Sequence, residues 1–242
     1  MIRQFDVVVW DSCTDSVGLD EPFTPPFTDS ALGWFYGNDF NKILEKCEAE
    51  WIVFAHRSVN IDRQFLNDLA DCTSGFPMVD AFAPRIKVKE KHAFLSGFRL
   101  DAREGIAMLD ENAKMRYVAA PHPLLAAFSR RIVQRTGAFD NSLCTTAQLA
   151  DYALRMLHAG GKMFSVPYLV ASTQEPADVA CPANDLAFTL VKSFGYWKSR
   201  KFLLHHAGTL RPLWKRNKEL EEKRDKAILL SKLNKDFLAG LY

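Results

Sequence analysis

The chain has 242 residues, of which 48% are hydrophobic and 25% are charged, and its formal net charge is +2. A chain of this length buries about 70–75% of its unfolded surface in one large domain, so it needs no disulfide or metal to fold. The small net charge excludes a general affinity for nucleic acid.

The five cysteines are an odd number without a CxxC pair, which argues against a disulfide framework or a zinc site. Isolated cysteines of this kind indicate a reducing compartment. The apolar run at residues 7–10 follows Asp6 and is too short for a signal peptide or a membrane span. We therefore expect a cytoplasmic protein.

The first part of the chain shows strand and helix patterns in alternation. Residues 5–10 are a β-branched run that predicts a buried strand, and residues 11–37 are rich in proline and glycine, which predicts an irregular segment. Asn38 is expected to cap a helix that extends to Cys47. A second buried strand is predicted at residues 51–55.

The middle of the chain is less regular. A helix is predicted around Phe65 and Leu69, and an extended segment at residues 81–88 that Pro84 interrupts. Further along, the pattern favours a helix near residues 102–111 and a strand at residues 116–120.

The strongest helix patterns follow. Ser129 is expected to cap a helix that ends at Gly137, and residues 146–159 are expected to form a helix with an Asp151–Arg155 pair at i, i+4. Residues 162–171 contain Pro167 and predict an edge strand. The alternation predicts an α/β layered fold, in which ligands bind beyond the carboxyl ends of strands. Asp11 and His56 stand at two such ends.

Several short motifs follow one another in order between residues 5 and 172. They are DVVVWDSCTD at 6–15, GNDFN at 37–41, EWIVFAHRSV at 50–59, FSRR at 128–131, GAFD at 137–140 and DYALR at 151–155. Together they resemble the nucleotide-binding strand, the Asp-X-Asp strand, the G-G-F-D turn and the D-x-x-x-R helix of glycosyltransferase family 2 and its GT-A relatives. The resemblance implies a GT-A mixed sheet flanked by helices at residues 1–184, with a helical extension at residues 185–242.

The same resemblance implies a nucleotide-sugar donor. The residues expected to bind its nucleoside diphosphate are Asp11, Ser12, Asp15, Asn41, Arg57 and Arg85. For Asp11 and Asp15 the alternative is an Asx turn after a strand. For Arg57 the alternative to pairing with phosphate oxygens is a solvated surface position.

The Asp-X-Asp positions of the resembled motif hold His56 and Ser58 here. In the family these carboxylates hold a divalent metal that stabilises the diphosphate leaving group. His56 could ligate manganese or magnesium through a ring nitrogen, whereas Ser58 is a poor substitute for an anionic ligand. The alternative for His56 is a partly buried histidine without a ligand.

The catalytic base of the resembled family also differs. Its Glu-Asp pair falls at Gln148 and Leu149, and leucine cannot take a proton from an acceptor hydroxyl. Asp151 remains as a carboxylate, but pairing with Arg155 would make it structural. Besides an adaptor that acts at a membrane surface through the C-terminal region, the sequence leaves two functions open. One is sugar transfer with altered metal dependence, and the other is a catalytically degenerate nucleotide-binding relative with a binding or regulatory role.

The C-terminal region has a different composition. Residues 192–218 contain eight Lys or Arg and no Asp or Glu, interleaved with aromatic residues. Such a segment is typical of peripheral binding to an anionic membrane surface. Nucleic acid, as a less favoured anionic partner, and helices that pack back on the domain are the alternatives. Residues 219–242 predict a charged helix.

Overall fold

The computed structural model describes residues 3–11, 24–89, 93–101, 105–108, 114–174, 183–205, 208 and 210–231. A seven-stranded mixed sheet forms its centre. In spatial order the strands are β10 (Arg116–Tyr117), β12 (Met163–Ser165), β5 (Ala81–Phe82), β11 (Leu125–Ser129), β3 (Trp51–His56), β1 (Phe5–Trp10) and β2 (Leu32–Tyr36).

Helices cover both faces of this sheet. Alternate side chains of β1 and β3 enter two separate apolar cores, since successive residues of a strand point to opposite faces. Three helices pack on one face: α1 (Phe40–Leu44), α3 (Arg130–Thr136) and α4 (Thr145–His158). The opposite face is covered by α2 (Arg63–Gly75). This burial on both sides explains why β1 and β3 are almost continuously apolar.

A smaller sheet lies beside the first. Its strands, in spatial order, are β4 (Val59–Asn60), β13 (Val170–Thr173), β6 (Arg85–Val88) and β7 (Ala93–Leu95). Pro84 separates β5 from β6 and so marks a change of sheet, which confirms the predicted interruption. Pro167 likewise separates β12 from β13. The single edge strand predicted at residues 162–171 is therefore wrong, because proline ends one strand there and the chain enters the other sheet.

Two other predictions are corrected by pairing between strands. β2 lies within the segment predicted to be irregular and pairs in parallel with β1. The helix predicted near residues 102–111 is wrong, because β8 (Phe98–Asp101) and β9 (Gly105–Met108) form an antiparallel pair. In both places hydrogen bonds to a neighbouring strand override a weak local preference.

The helix predicted between Ser129 and Gly137 and the helix predicted at residues 146–159 are confirmed as α3 and α4. The Ser129 hydroxyl accepts the Ile132 N–H at 3.3 Å, and α3 ends at Gly137, whose φ of +83° lies in the left-handed region. The cap of α1 is Asp39, whose side chain accepts the Lys42 N–H at 3.2 Å, and not Asn38 as predicted.

In the described part of the chain, residue 182 is followed by α5 (Ala183–His205), which is kinked at Gly195, and then by α6 (Leu210–Lys215) and α7 (Asn217–Ser231). They share a third apolar core with Leu143 and Ala147. The C-terminal helices therefore pack back on the domain, which was one of the three interpretations of this region. The division of the chain at residue 184 stays a prediction. Among the described residues no helix is long and apolar enough to cross a membrane.

Candidate functional site

The carboxyl ends of β1 and β3 lie side by side. The two strands are parallel neighbours, and Trp10 is in register with His56. The Arg57 N–H donates to the Trp10 carbonyl at 2.8 Å, which extends the pairing by one residue. Asp11 and Arg57, the next residues of the two strands, therefore meet at the sheet edge where ligands bind in folds of this kind.

An ion pair joins these two residues. Arg57 Nη1 lies 2.7 Å from Asp11 Oδ2, and the side chains are 53% and 12% exposed, respectively. The Asp11 N–H donates to Asn38 Oδ1 at 3.0 Å. Asn38 therefore orients the Asp11 backbone, a role that its sequence position, which resembles a helix cap, did not indicate.

His56 is buried and its ring contacts Ser58. Nδ1 accepts the Ser58 N–H at 3.1 Å and lies 2.9 Å from Ser58 Oγ. Nε2 lies 3.8 Å from Asp11 Oδ1. Burial lowers the pKa of His56, against the opposing effect of the Asp11 charge, and the Arg57 charge lowers it further. Burial therefore favours the neutral form of the ring.

His56 and Ser58 do not fit a divalent metal in this arrangement. A metal needs an unprotonated ring nitrogen and preferably anionic oxygens. Nδ1 accepts the Ser58 N–H, Ser58 supplies only an uncharged hydroxyl, and the Asp11 carboxylate pairs with Arg57. In the part of the chain that the structure describes, no group of three or more His, Cys, Asp or Glu side chains could hold a metal ion.

The other predicted nucleotide-binding residues lie in different surroundings. Asn41 accepts the Phe139 N–H at 2.7 Å and donates to Asn141 Oδ1 at 2.8 Å, so its amide ties α1 to the loop after α3. Arg85 begins β6 in the smaller sheet, with its guanidinium 4.0 Å from the ring centre of Phe94. Ser12 and Asp15 lie outside the described residues.

The predicted catalytic residues are both buried. Gln148 Nε2 donates to the Leu143 carbonyl at 3.0 Å. Asp151 has no exposed surface, and its carboxylate contacts Arg155 Nε at 2.8 Å and Lys192 Nζ. Both side chains thus contact other groups inside the protein.

Lys192 links these helices to the C-terminal region. It is 2% exposed and contacts Asp140 Oδ2 at 3.0 Å in addition to Asp151, and Lys223 contacts Asp140 Oδ1 at 2.6 Å. Burial by itself raises the pKa of Asp140, but the hydrogen bond from Lys223 and the charge of Lys192 outweigh it and hold that pKa well below its usual range. From the sequence, Lys192 was expected to belong to a basic surface segment. Its position directly after Leu190 and Val191, which are buried, indicates that it is internal.

No family model matches the sequence, and no curated protein matches it either. Among solved structures, the crystal structure of GalNAc-T7 with UDP, GalNAc and Mn2+ matches with a TM-score of 0.61 at 10% identity. The match covers 93% of this chain and 54% of GalNAc-T7, so the chain spans about half the length of that protein.

Two further structures match with lower TM-scores. The mannosyltransferase PcManGT from Pyrobaculum calidifontis, in complex with GDP-Man and Mn2+, gives 0.46 at 14% identity over 98% of this chain and 75% of that chain. A197 from STIV gives 0.42 at 10% identity over 74% of this chain and 97% of that chain.

The first match, at 10% identity, concerns the fold alone. It agrees with the seven-stranded mixed sheet and the helices on both of its faces. The α/β fold implied by the sequence resemblance is confirmed. The chain has a glycosyltransferase-like fold of the GT-A type.

Proposed function

We propose that the chain binds the nucleoside diphosphate part of a nucleotide sugar at the Asp11–Arg57 site, defined as Asp11, Asn38, His56, Arg57 and Ser58. The observation that carries this proposal is the ion pair at the adjacent carboxyl ends of β1 and β3. These are the ends at which open α/β sheets of unrelated function bind their ligands.

Arg57 is the group proposed to contact the diphosphate. A guanidinium binds phosphate oxygens through two parallel hydrogen bonds and stays charged at any physiological pH. Asp11 holds Nη1 in place, while half of the Arg57 side chain is exposed to solvent. A positioned arginine supplies positive charge where the resembled motif would use a metal. The Asp11 carboxylate accepts hydrogen bonds, which suits the hydroxyls of a ribose.

Nucleotide binding is expected to raise the melting temperature of the protein. The increase should be seen with UDP or GDP and should be the same in EDTA as in manganese, because His56 and Ser58 do not fit a metal. Arg57→Ala is expected to weaken the affinity about 10- to 100-fold, since a hydrogen bond to a charged group contributes about 1.5–3 kcal/mol. Differential scanning fluorimetry and calorimetric titration measure both effects.

Arg131→Ala is the matched control, because Arg131 is also an exposed arginine paired with an aspartate, Asp80. It should leave nucleotide affinity unchanged. A protein whose melting temperature is unchanged by every nucleotide, with and without manganese, would rule out the proposed donor site. A shift that requires manganese would instead assign the diphosphate to a metal and not to Arg57.

Sugar transfer from the bound donor to an acceptor is the activity that the sequence resemblance implies. A degenerate protein that binds the donor without turnover is the second candidate. It is favoured by the burial of Asp151 and Gln148 and by their contacts with Lys192, Arg155 and Leu143. Donor hydrolysis by the wild type that is lost in His56→Ala would support transfer. Background hydrolysis in both proteins would support the binding protein.

A further inference from the structure

The α6 surface, defined as Trp214, Lys215 and Lys218, takes no part in the proposed nucleotide site. One side of this region is anchored in the protein. Leu213 and Leu220 are 2% and 0% exposed and belong to the core shared by the C-terminal helices and Leu143. The backbone that carries the α6 surface is therefore held against the domain.

Two described cations of this region contact carboxylates. Lys192 is buried and contacts Asp140 and Asp151, and the partly exposed Arg216 lies 2.9 Å from Glu219 and 3.8 Å from Asp185. The charges of these two cations are offset by the carboxylates that they contact. Lys215 and Lys218 are exposed.

Acidic residues are absent from the sequence between residues 192 and 218 and begin at Glu219. Glu219 is neutralised by contacts with Arg216 and Lys223, at 2.9 and 2.6 Å. The exposed Glu221 and Glu222 mark the end of the basic stretch. The stretch of sequence that ends at Lys218 is thus basic, although the net charge of the whole chain is only +2.

Two exposed apolar side chains belong to the same C-terminal region. Trp214 is 82% exposed and Leu204, at the end of α5, is 74% exposed. They are the two most exposed large hydrophobic side chains among the described residues. A tryptophan beside lysines is typical of a protein surface that enters the headgroup layer of a bilayer, where the indole ring is partly buried.

We propose that the α6 surface docks on an anionic lipid bilayer, with Trp214 in the headgroup layer and Lys215 and Lys218 against anionic headgroups. Charge complementarity identifies the occupant, because anionic lipids attract cations that lie within a Debye length of the membrane. Nucleic acid would pair with the lysines, but an exposed indole and an exposed leucine do not by themselves form the platform on which bases stack. The bound protein is peripheral.

Flotation of the full-length protein with vesicles tests the proposal. Binding is expected to vesicles that contain phosphatidylglycerol and to be absent with phosphatidylcholine alone. The double variant Lys215→Gln, Lys218→Gln should bind about 30-fold more weakly, which corresponds to about fivefold for each lysine. Trp214→Ser should also weaken binding severalfold, and neither variant should change the melting temperature, since all three side chains are exposed.

Met78→Ser is the control, because Met78 is 71% exposed but lies in the turn after α2, far from the α6 surface in the sequence. It should bind vesicles like the wild type. A wild-type protein that does not float with anionic vesicles, or a Trp214→Ser variant that floats equally well, would overturn the proposal. Binding to DNA without binding to anionic vesicles would reassign the surface to nucleic acid. Arg57→Ala should float normally, so this test and the nucleotide test fail independently.

Discussion

Lys192→Ala is expected to lower the free energy of unfolding by about 3–5 kcal/mol, the usual cost of removing one partner from a buried ion pair. Lys192 is 2% exposed and its ammonium group lies between two carboxylates, Asp140 and Asp151. Asp151 is fully buried, and without Lys192 only Arg155 would offset its charge. Removing one cation therefore leaves two acidic groups with less compensation in a region of low dielectric constant.

Urea denaturation followed by circular dichroism measures this effect. Lys215→Ala is the matched control, because Lys215 is an exposed lysine of the same C-terminal region and its removal should change stability by less than about 0.5 kcal/mol. If the two variants were equally stable, the buried cluster would not hold the C-terminal helices to α4. A large loss of stability in Lys192→Ala that is not seen in Lys215→Ala assigns Asp151 a structural role.

The same cluster makes stability depend on pH. Contacts with Lys223 and Lys192 hold the pKa of Asp140 well below its usual value, despite the opposing effect of burial. A depressed carboxyl pKa stabilises the folded state above the pKa of the unfolded chain, about 4, and this stabilisation is lost as pH falls below it. The wild type should therefore lose stability below about pH 4. Lys192→Ala should lose less stability over the same range, because Lys192 no longer helps to lower the pKa of Asp140.

The second large effect is expected for Asp6→Ala, at about 2–4 kcal/mol of unfolding free energy. Asp6 lies in β1 with no exposed surface. Its Oδ2 accepts the N–H groups of Glu48 and Ala49 at 2.6 and 2.8 Å. Alanine would leave these donors without that acceptor, and Ala49 itself is fully buried. The carboxylate thus fixes the chain that leads into β3 and, through it, the position of His56 and Arg57.

Thermal and urea unfolding of Asp6→Ala should be compared with Asp6→Asn and Asp39→Ala. Asparagine keeps one oxygen acceptor and should cost less, and Asp39→Ala removes the cap of the short helix α1, at about 1 kcal/mol. If Asp6→Ala lost no more unfolding free energy than Asp39→Ala, the Asp6 carboxylate would not hold the chain that leads into β3.

Gly33 supplies an independent test of the same packing. A Cβ at Gly33 would overlap with Asp6 Oδ1, so a larger residue cannot occupy this position while the carboxylate keeps its place. Gly33→Ala should therefore destabilise the wild type but cost clearly less in the Asp6→Ala background. Additive losses in the double variant would mean that the two positions are not coupled.

Local patterns predicted the elements whose burial and caps lie within one short segment. β1 and β3 are apolar along their whole length because helices cover both faces of the sheet. α3 was predicted from Ser129 and Gly137, and α4 from the helical pattern of residues 146–159 with its Asp151–Arg155 pair. β2, β8 and β9 were not predicted, because their stability comes from hydrogen bonds to strands that local periodicity does not register.

For the candidate site, the sequence by itself determined that Asp11 and His56 stand at the carboxyl ends of buried strands, since a run of apolar residues that stops at polar ones is a local property. Only the tertiary structure decided their chemistry. Parallel pairing of β1 and β3 brings Arg57 to Asp11, and the turn at Ser58 brings its N–H to His56 Nδ1. Lys192 shows the same division, because its charge is visible in the sequence, but its burial against Asp151 depends on how α5 packs on α4. Contacts between residues far apart in the chain arise from packing, and packing depends on the whole fold.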